Sequence, residues 1–206
     1  MEIAEVRASP ILVRHLDLAE YEPTLQAMRA FTAQRTEASA DEIWLLEHPP
    51  VYTLGQGAEA ASVKNGIPVV RSDRGGEITY HGPGQIVLYA LIDLARRGIK
   101  VKPFVWLLEQ AVIDLLDGRG ERRPAAPGVY VDGAKIAALG IRVSRGRAYH
   151  GLALNVDMDL SPFAAIDPCG YPGLAVTDMR SLGFSESPDV MGGKLVKTFS
   201  ARLENA

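Results

Sequence analysis

Two tight-turn signals in quick succession, Asp132-Gly133 and Arg145-Gly146, constrain this chain more than any other feature. Asp-Gly between apolar runs marks a two-residue hairpin, because both central positions must take positive φ. The spacing predicts that Val129–Val131 turns back onto a strand beginning near Ala134. A second turn then leads into a strand over Ala148–Val156. Connections this short join only antiparallel neighbours. The stretch from Val129 to Asp157 is therefore expected to be an antiparallel meander.

Other segments supply what such a sheet needs around it. Ile11–Leu16 reads as a short strand. Asp17, with Glu20 three residues on, has the capping-box pattern of a helix carrying Leu18, Tyr21, Leu25, Met28 and Phe31. Glu42–His48 and Val51–Leu54 read as strands parted by Pro49-Pro50. Ile86–Ile92 is apolar without alternation, as expected of a central strand covered on both faces. Pro103 opens a helix whose stripe runs through Phe104, Leu107, Leu108, Ala111, Val112, Leu115 and Leu116 to a stop at Gly118. Ser187-Pro188 starts a last helix using Leu195, Val196, Phe199 and Leu203. The pattern predicts an α+β, or mixed α/β, fold. With no repeat, low-complexity tract or linker, residues 1–206 are expected to form a single catalytic domain.

The net charge of −3 is mild, and neither nucleic acid nor a membrane is an expected partner. No apolar run approaches the roughly 20 residues of a membrane span, and the N-terminus lacks the basic and apolar regions of a signal peptide. One cysteine without an export signal suits a reducing cytoplasm.

That cysteine, Cys169, sits in Asp-Pro-Cys-Gly-Tyr-Pro-Gly. Alone, it forms no intramolecular disulfide, so it is either a small buried hydrophobe or a reactive thiol. Pro168 and Pro172 fix φ around it, and Gly170 leaves room beside the sulfur. A rigid loop of this kind makes Cys169 the leading candidate nucleophile. Lys135 follows the first hairpin turn. Strand alternation places it on one face with Ala137, Leu139, Ile141 and Val143, as either a snorkelling residue or a buried amine. Beside Cys169, an ammonium there would stabilise the thiolate. The segment Arg74-Gly-Gly-Glu-Ile-Thr-Tyr-His-Gly-Pro-Gly-Gln85 is rich in glycine but matches no phosphate-binding loop. His81 and His150 each precede a glycine, and no metal-ligand spacing links them.

Taken together, residues 74–85, Gly-Val-Tyr-Val-Asp-Gly-Ala-Lys-Ile-Ala-Ala-Leu-Gly (128–140), Tyr-His-Gly-Leu-Ala-Leu-Asn-Val (149–156) and Asp-Pro-Cys-Gly (167–170) closely resemble the octanoyltransferases of lipoate biosynthesis. The resemblance runs from about Glu47 to Met179 with the motifs in family order. It implies the fold of the lipoate and biotin protein ligases, a large mixed sheet flanked by helices plus a smaller sheet. It also implies transfer of octanoyl from octanoyl-acyl carrier protein to a lysine of lipoyl domains, those of 2-oxoacid dehydrogenases and the glycine cleavage H protein, with no cofactor. By resemblance Cys169 carries the acyl thioester and Lys135 lowers its pKa. The implied substrate pocket comprises Arg74, Gly75, Gly76, Glu77, Ile78, Thr79, Tyr80, His81, Ala138, Leu139, Gly140, Gly151, Leu152 and Ala153. Ala138 departs from the family pattern, where serine is common.

The acidic partners so implied would suit a basic docking face, drawn from Arg71, Arg74, Arg96, Arg97, Lys100, Lys102, Arg142, Arg145 and Arg147. Three other readings fit parts of the chain. They are an ATP-dependent lipoate ligase that would not need Cys169, a cysteine hydrolase of acyl thioesters with His81 or His150 as base, and a binding module that keeps only the pocket.

Overall fold

A computed structural model of the chain describes residues 10–59, 63, 65–124, 126–166 and 173–206. In chain order the strands are β1 (Ile11–Leu18), β2 (Asp41–Glu47), β3 (Val51–Leu54), β4 (Val69–Arg71), β5 (Ile78–His81), β6 (Gln85–Asp93), β7 (Glu121–Arg122), β8 (Gly128–Val131), β9 (Ala134–Ser144) and β10 (Arg147–Asn155). The helices are α1 (Tyr21–Gln34), α2 (Leu94–Arg97), α3 (Val101–Leu115) and α4 (Pro188–Glu204), with a 3-10 turn over Ser161–Ala165. A seven-stranded sheet runs β1-β2-β6-β10-β9-β8-β7, and a three-stranded sheet runs β4-β3-β5. Only β1 and β2 pair in parallel in the large sheet, so the sheet is mixed.

The two turn signals do what their residues allow. Asp132 and Gly133 have φ of 50° and 84°, and Arg145 and Gly146 have 50° and 77°. Left-handed backbone at both central positions matches the twist of the joined strands and sets the β8-β9-β10 meander.

β6 lies inside the sheet, between β2 and β10, with all its residues buried. Ile86, Leu88, Ala90 and Ile92 face a core completed by Phe104, Leu108 and Val112 of α3 and Leu195 and Phe199 of α4. Val87, Tyr89 and Leu91 face the opposite way, toward Tyr21, Leu25 and Met28 of α1. Each such side chain contributes roughly 1.5–3 kcal/mol by leaving water, so losing Leu108 to alanine would cost about 2–5 kcal/mol. Among the described residues, no helix is long and apolar enough to cross a membrane.

Two helix starts differ from expectation. Asp17 does not cap α1: its φ is 49°, and after an irregularity Leu18 still pairs with Glu47. Ala19 N also donates to the Glu47 carbonyl at 2.9 Å. Strand pairing thus holds the chain past the capping-box residues, and the helix begins at Tyr21. α3 begins at Val101, ahead of Pro103. Ser187 caps α4 as expected, accepting from Val190 N.

Candidate active site

The position of Lys135 departs from simple alternation. β8 and β9 pair Gly128 with Ala138 and Val129 with Ala137, but then Tyr130 with Lys135, so Ile136 is an extra residue on β9. A bulge of this kind reverses which face the following residues take. Lys135 is therefore not on the face of Ala137, Leu139, Ile141 and Val143, which pack toward α3 and α4. It shares the opposite face with Ala138 and Gly140, where a cavity opens. The lysine's backbone takes partners from a different segment: its N donates to the Ala175 carbonyl at 2.8 Å, and Thr177 N donates to the Lys135 carbonyl at 3.0 Å.

The side chain is only 4% exposed. Its Nζ donates to the Pro127 carbonyl at 3.1 Å and lies 5.4 Å from the centre of the Tyr130 ring. Gly128 makes this possible. Its φ is +147°, and a Cβ there would sit 2.6 Å from Lys135 Cε and 3.0 Å from Nζ.

The cavity encloses about 730 Å³ of empty space, open solvent at its mouth included. Where β9 meets β10, its wall is backbone and methyl groups. Gly140 stands opposite Gly151 across β9 and β10, and Ala138 opposite Ala153. A Cβ at Gly140 would meet the Gly75 carbonyl at 2.8 Å, and one at Gly151 the Leu88 carbonyl at 2.1 Å. The glycine-rich segment lies along this wall, with Gly75 N donating to the Ile141 carbonyl at 3.0 Å. Arg74, Gly76, Glu77, Ile78, Thr79 and His81 line the cavity, as do Leu139 and Leu152. Tyr80 instead packs between Tyr52 and Phe163 in the core of the small sheet, both ring centres at 5.5 Å.

A network of buried polar groups closes the far side. Arg74 Nη2 donates to Thr53 O at 2.7 Å and Thr53 Oγ1 at 2.8 Å, and Nη1 to Gly75 O at 2.9 Å. His81 Nδ1 lies 2.7 Å from Gln85 Oε1. Gln85 Nε2 donates to the Tyr80 carbonyl and Asn155 Oδ1, so its Oε1 accepts and the His81 proton is assigned to Nδ1. Burial, then the nearby His48 and Arg74, pushes the His81 pKa well below its ordinary value. His48 Nδ1 donates to the Ala19 carbonyl at 2.5 Å and Nε2 accepts from Tyr89 OH at 2.7 Å. Burial lowers its pKa to about 4.

His150, at the left-handed φ of 62°, bonds Asp73 Oδ1 through Nε2 at 2.8 Å. Burial lowers its pKa too. Tyr149 OH and Arg29 Nε donate to Asp73 Oδ2 at 2.7 and 2.8 Å. Burial opposes ionisation of Asp73, but the hydrogen bonds from His150, Tyr149 and Arg29 outweigh it and hold the carboxyl well below the usual range. Burial and Asp73 push the Tyr149 phenol up to about 12. His81 and His150 are thus neutral hydrogen-bonding members of the wall at pH 7, and His48, neutral as well, bonds Tyr89 of the wall without lining the cavity itself.

Cys169 lies outside the described residues. Tyr21, Gln85, Val87, Tyr89, Asn155, Phe163 and Val176 also line the cavity, and none was legible as a site residue. One signal was present: Gln85 and Asn155 are polar ends of apolar strands, and they pair in register across β6 and β10. Among the basic residues, Arg96 and Arg97 bond buried Asp41 at 2.8 and 2.6 Å, and Arg147 lies 3.4 Å from Asp93. These three hold the sheet end together. Arg142, next on the cavity face after Gly140, bonds Gln56 Oε1 at 2.8 Å.

Residues 20–200 match the family model described as the lipoyl protein ligase A/B catalytic domain. An octanoyltransferase of Thiobacillus denitrificans is 61% identical over 193 residues, covering 90% of this chain and 88% of that protein. One from Aromatoleum aromaticum is 59% identical over 198 residues, covering 94% and 86%. The solved structure of lipoate-protein ligase A bound with ATP superposes with a TM-score of 0.76 at 16% identity, covering 95% of this chain and 85% of that one. A biotin protein ligase from Aquifex aeolicus shares the fold more distantly, with a TM-score of 0.58 at 10% identity over 95% of this chain and 70% of that one. The fold is thus the one shared by lipoate and biotin ligases, and the chain belongs to the lipoyl protein ligase A/B catalytic-domain family, among its octanoyltransferases, and is an acyltransferase.

Proposed function

We propose that this chain, acting as one catalytic unit, moves octanoyl from the thioester of acyl carrier protein to a lysine of lipoyl domains through an acyl thioester on Cys169. The observation that carries the reading is Lys135. A buried amine has been turned by a bulge into an otherwise mainly apolar cavity, and its backbone pairs with Ala175 and Thr177, a few residues after Cys169.

In the first step the Cys169 thiolate attacks the donor carbonyl. The C–S bond to the carrier breaks, and Lys135 ammonium gives its proton to the departing thiolate. One thioester replaces another, so the step is nearly balanced and needs no separate activation of the acyl group. In the second step the acceptor lysine's neutral amine attacks the acyl-cysteine. The cysteine leaves as thiolate, and Lys135, now neutral, takes the proton released by the attacking nitrogen. An amide forms, and both side chains return to their starting charges.

The wall of Gly140, Gly151, Ala138 and Ala153 supports an unbranched acyl chain as ligand. Each buried methylene is worth about 0.8 kcal/mol, so a chain two carbons shorter should bind roughly tenfold more weakly. Incubation with octanoyl carrier protein followed by mass spectrometry tests the reading. An octanoyl adduct on Cys169 that passes to an apo lipoyl domain is expected, without release of pyrophosphate. Full transfer by Cys169→Ala would overturn the covalent route.

A further inference from the structure

Lys135 is held by a carbonyl that is itself tied to a buried carboxylate. Glu109, on the inner side of α3 and 6% exposed, accepts from Gly128 N through Oε1 at 3.1 Å. Its other oxygen, Oε2, accepts from Arg122 Nε at 3.1 Å. Gly128 N belongs to the same peptide unit as the Pro127 carbonyl, and that carbonyl accepts from Lys135 Nζ at 3.1 Å. One peptide therefore carries a carboxylate at its N–H end and the lysine at its C=O end. Hydrogen bonds in series polarise one another, most strongly where one member is charged and buried. A carboxylate on the N–H draws electron density toward the carbonyl oxygen and makes it a better acceptor for an ammonium.

We propose that Glu109 is a positioning residue for Lys135, acting through the Pro127–Gly128 peptide to fix the amine's place. The inference rests on the reading of Lys135 as partner of the Cys169 thiol. Glycine at position 128 is part of the device, since any Cβ there would occupy the space of Lys135 Cε. Arg122 locks the carboxylate from the other side. Among the described residues the amine also lies near the Tyr130 ring, over which Arg123 stacks 4.3 Å from the centre, and Arg74 and Glu77 line the same cavity. None of these bonds the Pro127–Gly128 peptide among the described contacts.

The sign follows directly. Removing the negative charge weakens the hold on the ammonium, and a less firmly placed ammonium stabilises the Cys169 thiolate less. Glu109→Gln keeps an oxygen that can accept from Gly128 N but drops the charge. The pH midpoint of Cys169 alkylation by iodoacetamide should then rise by about half a unit, with an about threefold slower octanoylation below that midpoint, while loss of the Arg122 ion pair lowers the thermal midpoint. A purely structural anchor would leave the alkylation midpoint in place, because the acceptor remains.

Lys135→Met separates the two readings. If it raises the midpoint while Glu109→Gln leaves it unmoved, the role of Glu109 falls and that of Lys135 stands. If neither variant moves it, the reading of Lys135 itself fails. Should Glu109→Gln not fold, the unaltered enzyme labelled with isotopic glycine decides. The Gly128 amide resonance should shift with the same midpoint as the alkylation, and a resonance static through that range overturns the coupling.

Discussion

His150 Nε2 and Asp73 Oδ1 lie 2.8 Å apart, and this contact ties the loop leading into Arg74 to the middle of β10. Tyr149 and Arg29 bond the same carboxylate, so one side chain gathers three donors from two elements. Asp73→Asn removes the charge and leaves a single acceptor oxygen. It should destabilise the protein by about 1–3 kcal/mol, lowering the thermal midpoint by roughly 2–10 °C. It should also raise KM for the acyl donor, because the glycine-rich wall loses its anchor. Calorimetry and steady-state kinetics on the variant check both.

Acid should loosen the fold before the carboxylates titrate. His48 has its folded pKa lowered to about 4, against about 6.5 in an unfolded chain. The neutral form is favoured in the folded state, so this stability is present above pH 6.5 and is lost as pH falls toward 4. Within that window the unfolded chain binds an extra proton, costing up to about 1.4 kcal/mol per pH unit for each such histidine. His81 and His150 are shifted the same way. Urea unfolding between pH 7 and 4 should show His48→Gln losing about one proton of that slope. Identical slopes would show that His48 is not held neutral by burial.

Adding a methyl group to the cavity wall should shorten the accepted chain. The Cβ of Gly140→Ala would sit 2.8 Å from the Gly75 carbonyl, so the glycine-rich segment must retreat and the cavity changes shape. A folded enzyme with its preference moved from octanoyl toward hexanoyl donors is expected, with octanoyl kcat/KM down roughly tenfold. Gly151→Ala meets the Leu88 carbonyl at 2.1 Å, inside the central sheet. That variant should lose about 3 kcal/mol or more of stability instead. Competition between acyl donors of different length, together with melting curves, separates the two outcomes.

A docking role is left for the basic residues that are not tied into the sheet. Arg142 lies on the cavity face beside Gln56, and Arg145 is exposed at the β9–β10 turn. Reversing both to glutamate should raise KM for an acidic carrier protein about tenfold at low salt and flatten its salt dependence. A small-molecule octanoyl thioester should be used as before. Reversal of Arg147, which faces Asp93, should show up first as lost stability.

Much of the fold was legible because it is specified locally. The Asp132-Gly133 and Arg145-Gly146 turns can form only one kind of connection, and the unbroken apolar run at Ile86–Ile92 fits only a strand covered twice. Glycines 140 and 151 were legible by resemblance, and their register pairing gives the physical reason. The face of Lys135 was misread because alternation holds only while both strands advance together. Nothing in the residues from Ala134 to Ala138 announces that the backbone at Lys135 will leave β8 for Ala175 and Thr177. The Asp17 capping box failed for a similar reason, since pairing with Glu47 outweighed a local preference. Tyr21, Tyr89 and His48 come from separate elements, and their hydrogen bonds exist only once the sheet has assembled.

The bulge at Ile136 makes the direction of Lys135 a matter of counting rather than of residue type. Substituting Ile136 with another apolar residue changes packing but leaves the count from turn to cavity unchanged. Deleting Ala134, just before the lysine, restores regular pairing with Lys135 opposite Val131, and an intact lysine then points into the helix-side core. For this enzyme a single-codon deletion that retains every residue with a proposed chemical role should be as damaging as replacing the lysine itself.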